Sequence, residues 1–208
     1  MSRRTSIYKG GFTIIELLIA TVVFSLVVMV ITVSIMQFTK QYYGGTVAST
    51  TQSTARALVD DVTRSIQYNK SGIYELKIGA DVRGYCMGGS KRYSFMPFQK
   101  VSATKHGLVA DVPNGGCNST ADAPLNLSSA TTLSTPYARE MLGERMRLAK
   151  FKIEDQTNGL WLVTVKVVYG DDDLLTSTTA DTMQCKPGSG SQFCAVSELT
   201  TTVKRRVN

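Results

Sequence analysis

A single carboxylate, Glu16, stands at the head of an otherwise uncharged apolar run, in the context Lys9-Gly10-Gly11-Phe12-Thr13-Ile14-Ile15-Glu16-Leu17-Leu18. Inside a membrane-spanning segment such a charge costs on the order of 2.5–3.5 kcal/mol on insertion scales, so it calls for a partner or for access to water at headgroup depth. The other residues able to do chemistry lie far downstream. Cys86, Cys117, Cys185 and Cys194 all fall outside the apolar run. An even count in an exported domain reads as two disulfides, for which three pairings exist. A zinc site is disfavoured, because there is no Cys-x-x-Cys and His106 is the only histidine. Asp171, Asp172 and Asp173, with Asp181 nearby, offer the hard oxygen ligands that calcium takes. Their spacing lacks the alternation of a defined calcium loop, so a solvated turn is expected and no metal or cofactor is assigned. Lys204, Arg205 and Arg206 are able to meet phosphates, and they are weak nucleic-acid candidates because no aromatics interleave them. No Gly-x-Ser-x-Gly or His-Glu-x-x-His occurs, and one histidine must serve any serine or cysteine mechanism. The expectation is therefore not an enzyme. The enzymatic alternative is a membrane-anchored cysteine transpeptidase using His106 and a free thiol.

The element that positions Glu16 is the apolar run itself. Residues 17–39 contain no charge, and residues 12–38, about 27 in number, would make a helix roughly 40 Å long against a hydrocarbon core of roughly 30 Å. An ordinary secretory signal is shorter and ends in a small-residue cleavage site, whereas this run closes on Met36-Gln37-Phe38-Thr39-Lys40. The formal net charge is +7. Three of those charges, Arg3, Arg4 and Lys9, precede the run, leaving +4 on the remainder. Basic residues ahead of a first helix hold that end in the cytoplasm, which sends the rest of the chain outside.

The Lys-Gly-Gly-Phe junction, the carboxylate five residues past Gly11 and the uninterrupted apolar helix together resemble the class III signal of type IV prepilins and type II secretion pseudopilins. The resemblance implies that a membrane prepilin peptidase cuts between Gly11 and Phe12 and methylates the new amine. It implies further that Glu16, then the fifth residue, pairs with the N-terminal amine of a neighbouring subunit. Burying both charges together offsets the desolvation cost of each. The implied partners are other pilins or pseudopilins, the peptidase, an inner-membrane assembly platform with its ATPase, and lipid before assembly. The implied location is the cytoplasmic membrane first and a cell-surface filament afterwards. Residues 51–66 also resemble the same region of J-type minor pseudopilins and W-type minor pilins, and the ending Thr202-Val203-Lys204-Arg205-Arg206-Val207-Asn208 resembles the closing strand of minor pilins. Binding of DNA or surfaces by such a subunit is the alternative function. Many major pilins carry a proline along this helix; here the corresponding stretch reads Ile31-Thr32-Val33-Ser34. Pilins of this class often staple a C-terminal loop. That agrees with Cys185 and Cys194 bracketing Lys186-Pro187-Gly188-Ser189-Gly190-Ser191, so the expected pairs are Cys185 with Cys194 and Cys86 with Cys117. Closing the short loop contributes about 2–3 kcal/mol in the chain-entropy picture.

The fold expected is α+β, a pilin fold. Residues 1–11 are a leader, 12–39 a membrane and filament-core helix, 40–70 an amphipathic helix, and 71–208 an extracytoplasmic β-rich domain built on an antiparallel sheet. In the membrane helix, Thr21, Ser25, Thr32 and Ser34 can return their hydroxyls to the helix's own carbonyls. Tyr42 and Tyr43 suit a membrane interface, and Gly44-Gly45 predicts a bend or pause. Ala55, Leu58, Val59, Val62 and Ile66 recur at three- and four-residue spacing and mark the face that lies on the sheet, with Asp60 and Asp61 on the solvated side. Short alternating runs predict strands over 73–78, 91–98 and 108–112. Residues 114–135 read as a long loop containing Asn118-Ser119-Thr120 and Asn126-Leu127-Ser128, which match the N-glycosylation pattern. Thr135-Pro136 predicts a short helix to about 146. A hairpin is predicted from 148–154 and 160–169 around Asn158-Gly159, with Trp161, Val163, Val165, Val167 and Tyr169 facing the core, and a last strand over 196–205.

Overall fold

The computed structural model describes residues 11–69, 72–79, 81–89, 91–117, 122–127 and 137–206. Helix α1 spans Ile14–Gln67, including Gly44 and Gly45, so the expected pause does not occur. By contact the chain divides into two units, Met1–Tyr42 and Tyr43–Asn208. In the first unit every described residue is exposed, and its apolar stretch is long and hydrophobic enough to cross a membrane. The hydroxyls of Thr21, Ser25, Thr32 and Ser34 donate to Leu18, Thr21, Val28 and Val30 carbonyls at 2.8–2.9 Å, which removes the penalty of a bare hydroxyl in an apolar setting.

In the second unit the buried residues of α1 are Thr51, Ala55, Leu58, Val59, Val62 and Ile66, the stripe that the periodicity marks plus one threonine. They pack into one core with two antiparallel sheets. The first sheet holds β1 (Ile73–Ile78), β2 (Asp81–Met87), β3 (Lys91–Phe95), β4 (Leu108–Asp111) and β5 (Arg139–Glu140), in that spatial order. The second holds β6 (Met146–Asp155), β7 (Leu160–Tyr169) and β8 (Ala195–Lys204). The expected hairpin is β6–β7, turned through Thr157, Asn158 and Gly159, all at positive φ. Val163, Val165 and Val167 are fully buried in the main core, with Trp161 and Tyr169 packed at its margin.

Three parts of the chain differ from expectation. Strand β2 was unsignalled because Gly84 sits at its middle and weakens its β pattern. The glycine is required there, since a Cβ would come within 2.5 Å of the Tyr93 carbonyl oxygen. No helix runs through residues 137–146, the described part of the predicted helix. Instead β5 pairs with β4, and the Glu140 carboxylate accepts from the backbone N–H of Gly107, Leu108 and Leu142 at 2.9–3.1 Å. Those bonds hold Glu140 in an extended segment; Thr135 and Pro136 lie outside the described residues. Strands β3 and β4 each end short of the predicted limit: after Phe95 the chain turns through Pro97 and Phe98, the latter at φ 63°.

The second face of β6–β7 is also covered. Ala149 and Val168 form a small core with Leu175, Met183 and Cys194 of the 171–194 segment, so Thr164 and Lys166 are buried as well. This segment is pinned by the Cys185–Cys194 disulfide. It is also held by Arg147, which donates to Asp172 Oδ1 at 2.5 Å and to the Gly170 carbonyl at 3.2 Å.

Candidate functional site

The site that the sequence singles out begins where α1 begins. Gly11, Phe12 and Thr13 are non-helical, and Phe12 is 86% exposed. Thr13 caps the helix. Its hydroxyl accepts from the Glu16 N–H at 3.3 Å and donates to Glu16 Oε2 at 3.0 Å, while the Thr13 N–H donates to the same oxygen at 3.0 Å. This is a reciprocal capping box, in which side chain and backbone satisfy orphan donors at both ends of the first turn. A carboxylate there also opposes the positive end of the helix dipole. The signature Thr-x-x-Glu was visible in Thr13-Ile14-Ile15-Glu16, but a reading that gives Glu16 wholly to another subunit overlooks it. Around this first turn Ile14, Ile15, Leu17 and Leu18 are each more than half exposed, an apolar surface that requires lipid or other helices.

Residues 8–32 match the prokaryotic N-terminal methylation motif. Comparison with curated proteins and with solved structures finds no match. The chain therefore carries a prepilin-type signal on a long apolar helix, ahead of an α+β domain consistent with the pilin fold. This supports a type IV pilin-like or pseudopilin-like protein, a structural rather than catalytic class, anchored in the membrane by one helix.

The remaining candidate residues are dispersed. Both disulfides join as expected, Cys86 with Cys117 and Cys185 with Cys194. All four thiols are thus consumed, and a cysteine mechanism has no nucleophile. His106 lies with Nδ1 3.3 Å from Glu140 Oε2, in the turn before β4. Among the described residues, the grouping with metal-like spacing is Cys86, Cys117 and Asp122, whose sulfurs are bonded to each other. The acidic cluster does not converge on a cation site. Asp171 is bonded by Arg145 and by Lys100 at 3.2 Å, and Asp172 by Arg147. The Arg145 hydrogen bond holds the Asp171 carboxyl below the usual carboxylate range, and Arg147 does the same for Asp172. Asp173 and Asp181 offer their backbone carbonyls to Lys186 and Lys166. Lys204 and Arg206 are exposed and Arg205 is partly buried; the Arg205 and Arg206 amides bond the carbonyls of Gly159 and Gln67. Asn126 is exposed, whereas Asn118, Ser119, Thr120 and Ser128 lie outside the described residues.

Asp60 is exposed, as expected, but Asp61 is not a solvated acid. Its carboxylate accepts from Lys91 Nζ at 2.6 Å and from the Tyr93 hydroxyl at 2.7 Å, and that hydroxyl also meets Ser65 at 2.8 Å. Burial acts to raise the Asp61 pKa, yet the Lys91 and Tyr93 hydrogen bonds bring it below its ordinary value. Burial pushes the Tyr93 phenol strongly upward, so it stays neutral and can donate. The network ties α1 to β3. No helical periodicity could reveal it, because the partners are some 30 residues apart.

Proposed function

We propose that this chain is a minor subunit, a minor pilin or pseudopilin, of a type IV pilus-like filament. The observation that carries the reading is the methylation motif over residues 8–32, with Gly11, Phe12 and Glu16 at the junction where the helix starts. On this reading residues 1–11 are the leader, and prepilin peptidase cuts between Gly11 and Phe12 and methylates Phe12. The helix over 12–39 waits in lipid with the leader in the cytoplasm. Residues 40–70 carry it onto the extracytoplasmic β-rich domain, 71–208. Assembly on an inner-membrane platform driven by its ATPase moves the exposed apolar face from lipid to neighbouring helices. Apolar contact is roughly conserved in that transfer, so register depends on helix packing and on Glu16 meeting a neighbour's amine. A charge-assisted bond of that kind contributes about 1.5–3 kcal/mol. The resemblance of residues 51–66 to J-type and W-type subunits supports a minor role.

The test is the N-terminal mass of the protein from filaments sheared off its native cells. A chain beginning at methylated Phe12, at low abundance relative to other subunits, is the expected result. An intact Met1 or Ser2 terminus confined to membranes would overturn the reading. Gly11→Ala is expected to block processing, and Glu16→Ala to be processed but poorly incorporated.

A further inference from the structure

A cleft of about 710 Å³ opens along the outer edge of β6, walled on the other side by β2 and by the turn that follows β3. Its floor is aromatic: Phe151 meets Tyr85 and Phe95 edge-on, at ring separations of 5.3 and 5.4 Å. The direction of the β6 backbone at this edge follows from its neighbours. Residues of an antiparallel strand alternately turn their N–H and C=O toward the partner strand and away from it. On β6 the outward groups ahead of the bulge are Met146 and Leu148, whose carbonyls accept from the amides of Val101 and Phe98 at 2.8 and 2.9 Å. The bulge between Leu148 and Lys150 then shifts the alternation by one residue. Beyond it the Ile153 N–H points outward and donates to the Tyr85 hydroxyl at 3.2 Å. Phe151, two residues before Ile153, must therefore turn its own N–H and C=O outward as well. Within the described residues no backbone group meets them, and Phe151, a core residue with 7% of its surface exposed, lines the floor of the cleft.

We propose that this cleft binds an uncharged extended peptide, which adds to the β6 edge by bonding the Phe151 N–H and C=O while one apolar side chain rests against the wall at Met96 and Phe98. Edge amides and carbonyls left open in a sheet are a template for an added strand. A bulge beside them is a common device for ending the sheet's own pairing at a binding site. The length open between the Phe98 and Tyr85 bonds is about four to five residues, roughly 15 Å of strand. An acidic ligand is disfavoured because the cations of the rim already have carboxylates. Arg83 pairs with Asp81 at 3.0 Å, Lys150 with Glu198 at 3.9 Å and Lys152 with Glu154 at 2.6 Å. Besides the exposed Asp181 carboxylate at the rim, what is unmet in the cleft is backbone hydrogen bonding. The site belongs to the folded domain alone and stands whether or not the chain is a filament subunit.

The experiment uses the full chain in detergent micelles. Amide exchange is measured first: the Phe151 amide should exchange at least about tenfold faster than those of Lys150 and Lys152, which the ladder with β7 protects. Peptides are then selected from a displayed random heptapeptide library. Selected peptides should slow Phe151 exchange, and N-methylation of the one residue facing Phe151 should weaken them about fivefold, the loss of one hydrogen bond. Lys152→Gln should leave their affinity within about twofold. The proposal is overturned by a Phe151 amide as protected as its neighbours, or by a selection that yields no binder to the cleft. It is equally overturned by acidic peptides that ignore N-methylation and are lost with Lys152→Gln, which would make the rim charges the ligand site.

Discussion

Removing the Thr13 hydroxyl isolates the capping box from every other role of the N-terminus. Thr13→Val keeps shape and β-branching and creates no cavity, because Thr13 is exposed. It deletes the bond donated to Glu16 Oε2 and the one accepted from the Glu16 N–H, and leaves only the Thr13 N–H on the carboxylate. Loss of a threonine cap costs about 1 kcal/mol, within a range of about 0.5–2. A change of 1 kcal/mol raises the frayed population of the first turn about fivefold. The assay is amide exchange of Thr13, Glu16 and Leu17 in the full chain in micelles, with residues beyond 25 as the internal reference. We expect about fivefold faster exchange at Glu16 and Leu17 and no change at the reference. Thr13→Ser should restore protection. Rates unchanged in Thr13→Val, or a rise spread evenly along α1, would show that the first turn is held by the apolar environment and not by this cap. Glu16→Gln, which keeps an acceptor but drops the charge, should fall between wild type and Thr13→Val.

Asp61→Asn should lower the melting temperature of the domain at neutral pH by a few degrees, as expected for loss of about 1–2 kcal/mol from a charge-assisted pair with Lys91 and Tyr93. Because folding depresses the Asp61 pKa, its contribution is present above the unfolded value of about 3.9 and is lost as pH falls through the lower folded value. Melting curves from pH 7 to 3 should therefore show the wild type and Asp61→Asn converging in acid; parallel curves would count against the network. Asp172→Ala should destabilise more than Arg147→Met, since the first strands a buried guanidinium whose Nε already lacks a partner and the second removes the buried charge outright. Denaturant midpoints of the two variants decide this, and the reverse order would refute it. Gly45→Ala meets nothing within 4 Å and should stabilise α1 by about 1 kcal/mol. Gly84→Ala, driven into the Tyr93 carbonyl, should destabilise the sheet; equal melting temperatures for the two variants would refute the reading of both positions.

The N-terminal half was legible because its signals are local. An uninterrupted apolar run, a glycine-phenylalanine junction and one carboxylate are properties of neighbouring residues. The buried stripe at Ala55, Leu58, Val59, Val62 and Ile66 follows from helical period alone. The β6–β7 hairpin was likewise written in strict alternation around Asn158-Gly159. The predicted helix before residue 146 failed for the opposite reason. The Glu140 carboxylate accepts from two amides of a distant segment, Gly107 and Leu108, and from the nearby Leu142 amide, and those bonds hold the segment extended. Gly44 and Gly45 weaken a helix in isolation, yet the apolar run before them and the packed stripe after them keep the segment helical.

By itself the amino-acid sequence determined which end of the chain is the signal, where the apolar helix begins and which face of its continuation is buried, because periodicity and charge act over a few residues. It also narrowed four cysteines to three pairings. Only the tertiary structure decided which sulfurs meet, that Asp61 is shared with Lys91 and Tyr93, that Asp171 and Asp172 pair with Arg145 and Arg147, and that the Phe151 edge of β6 faces the cleft. Each of these depends on groups brought together from distant parts of the chain, where hydrogen-bond valence and charge are balanced in three dimensions and leave no repeat for a sequence to display.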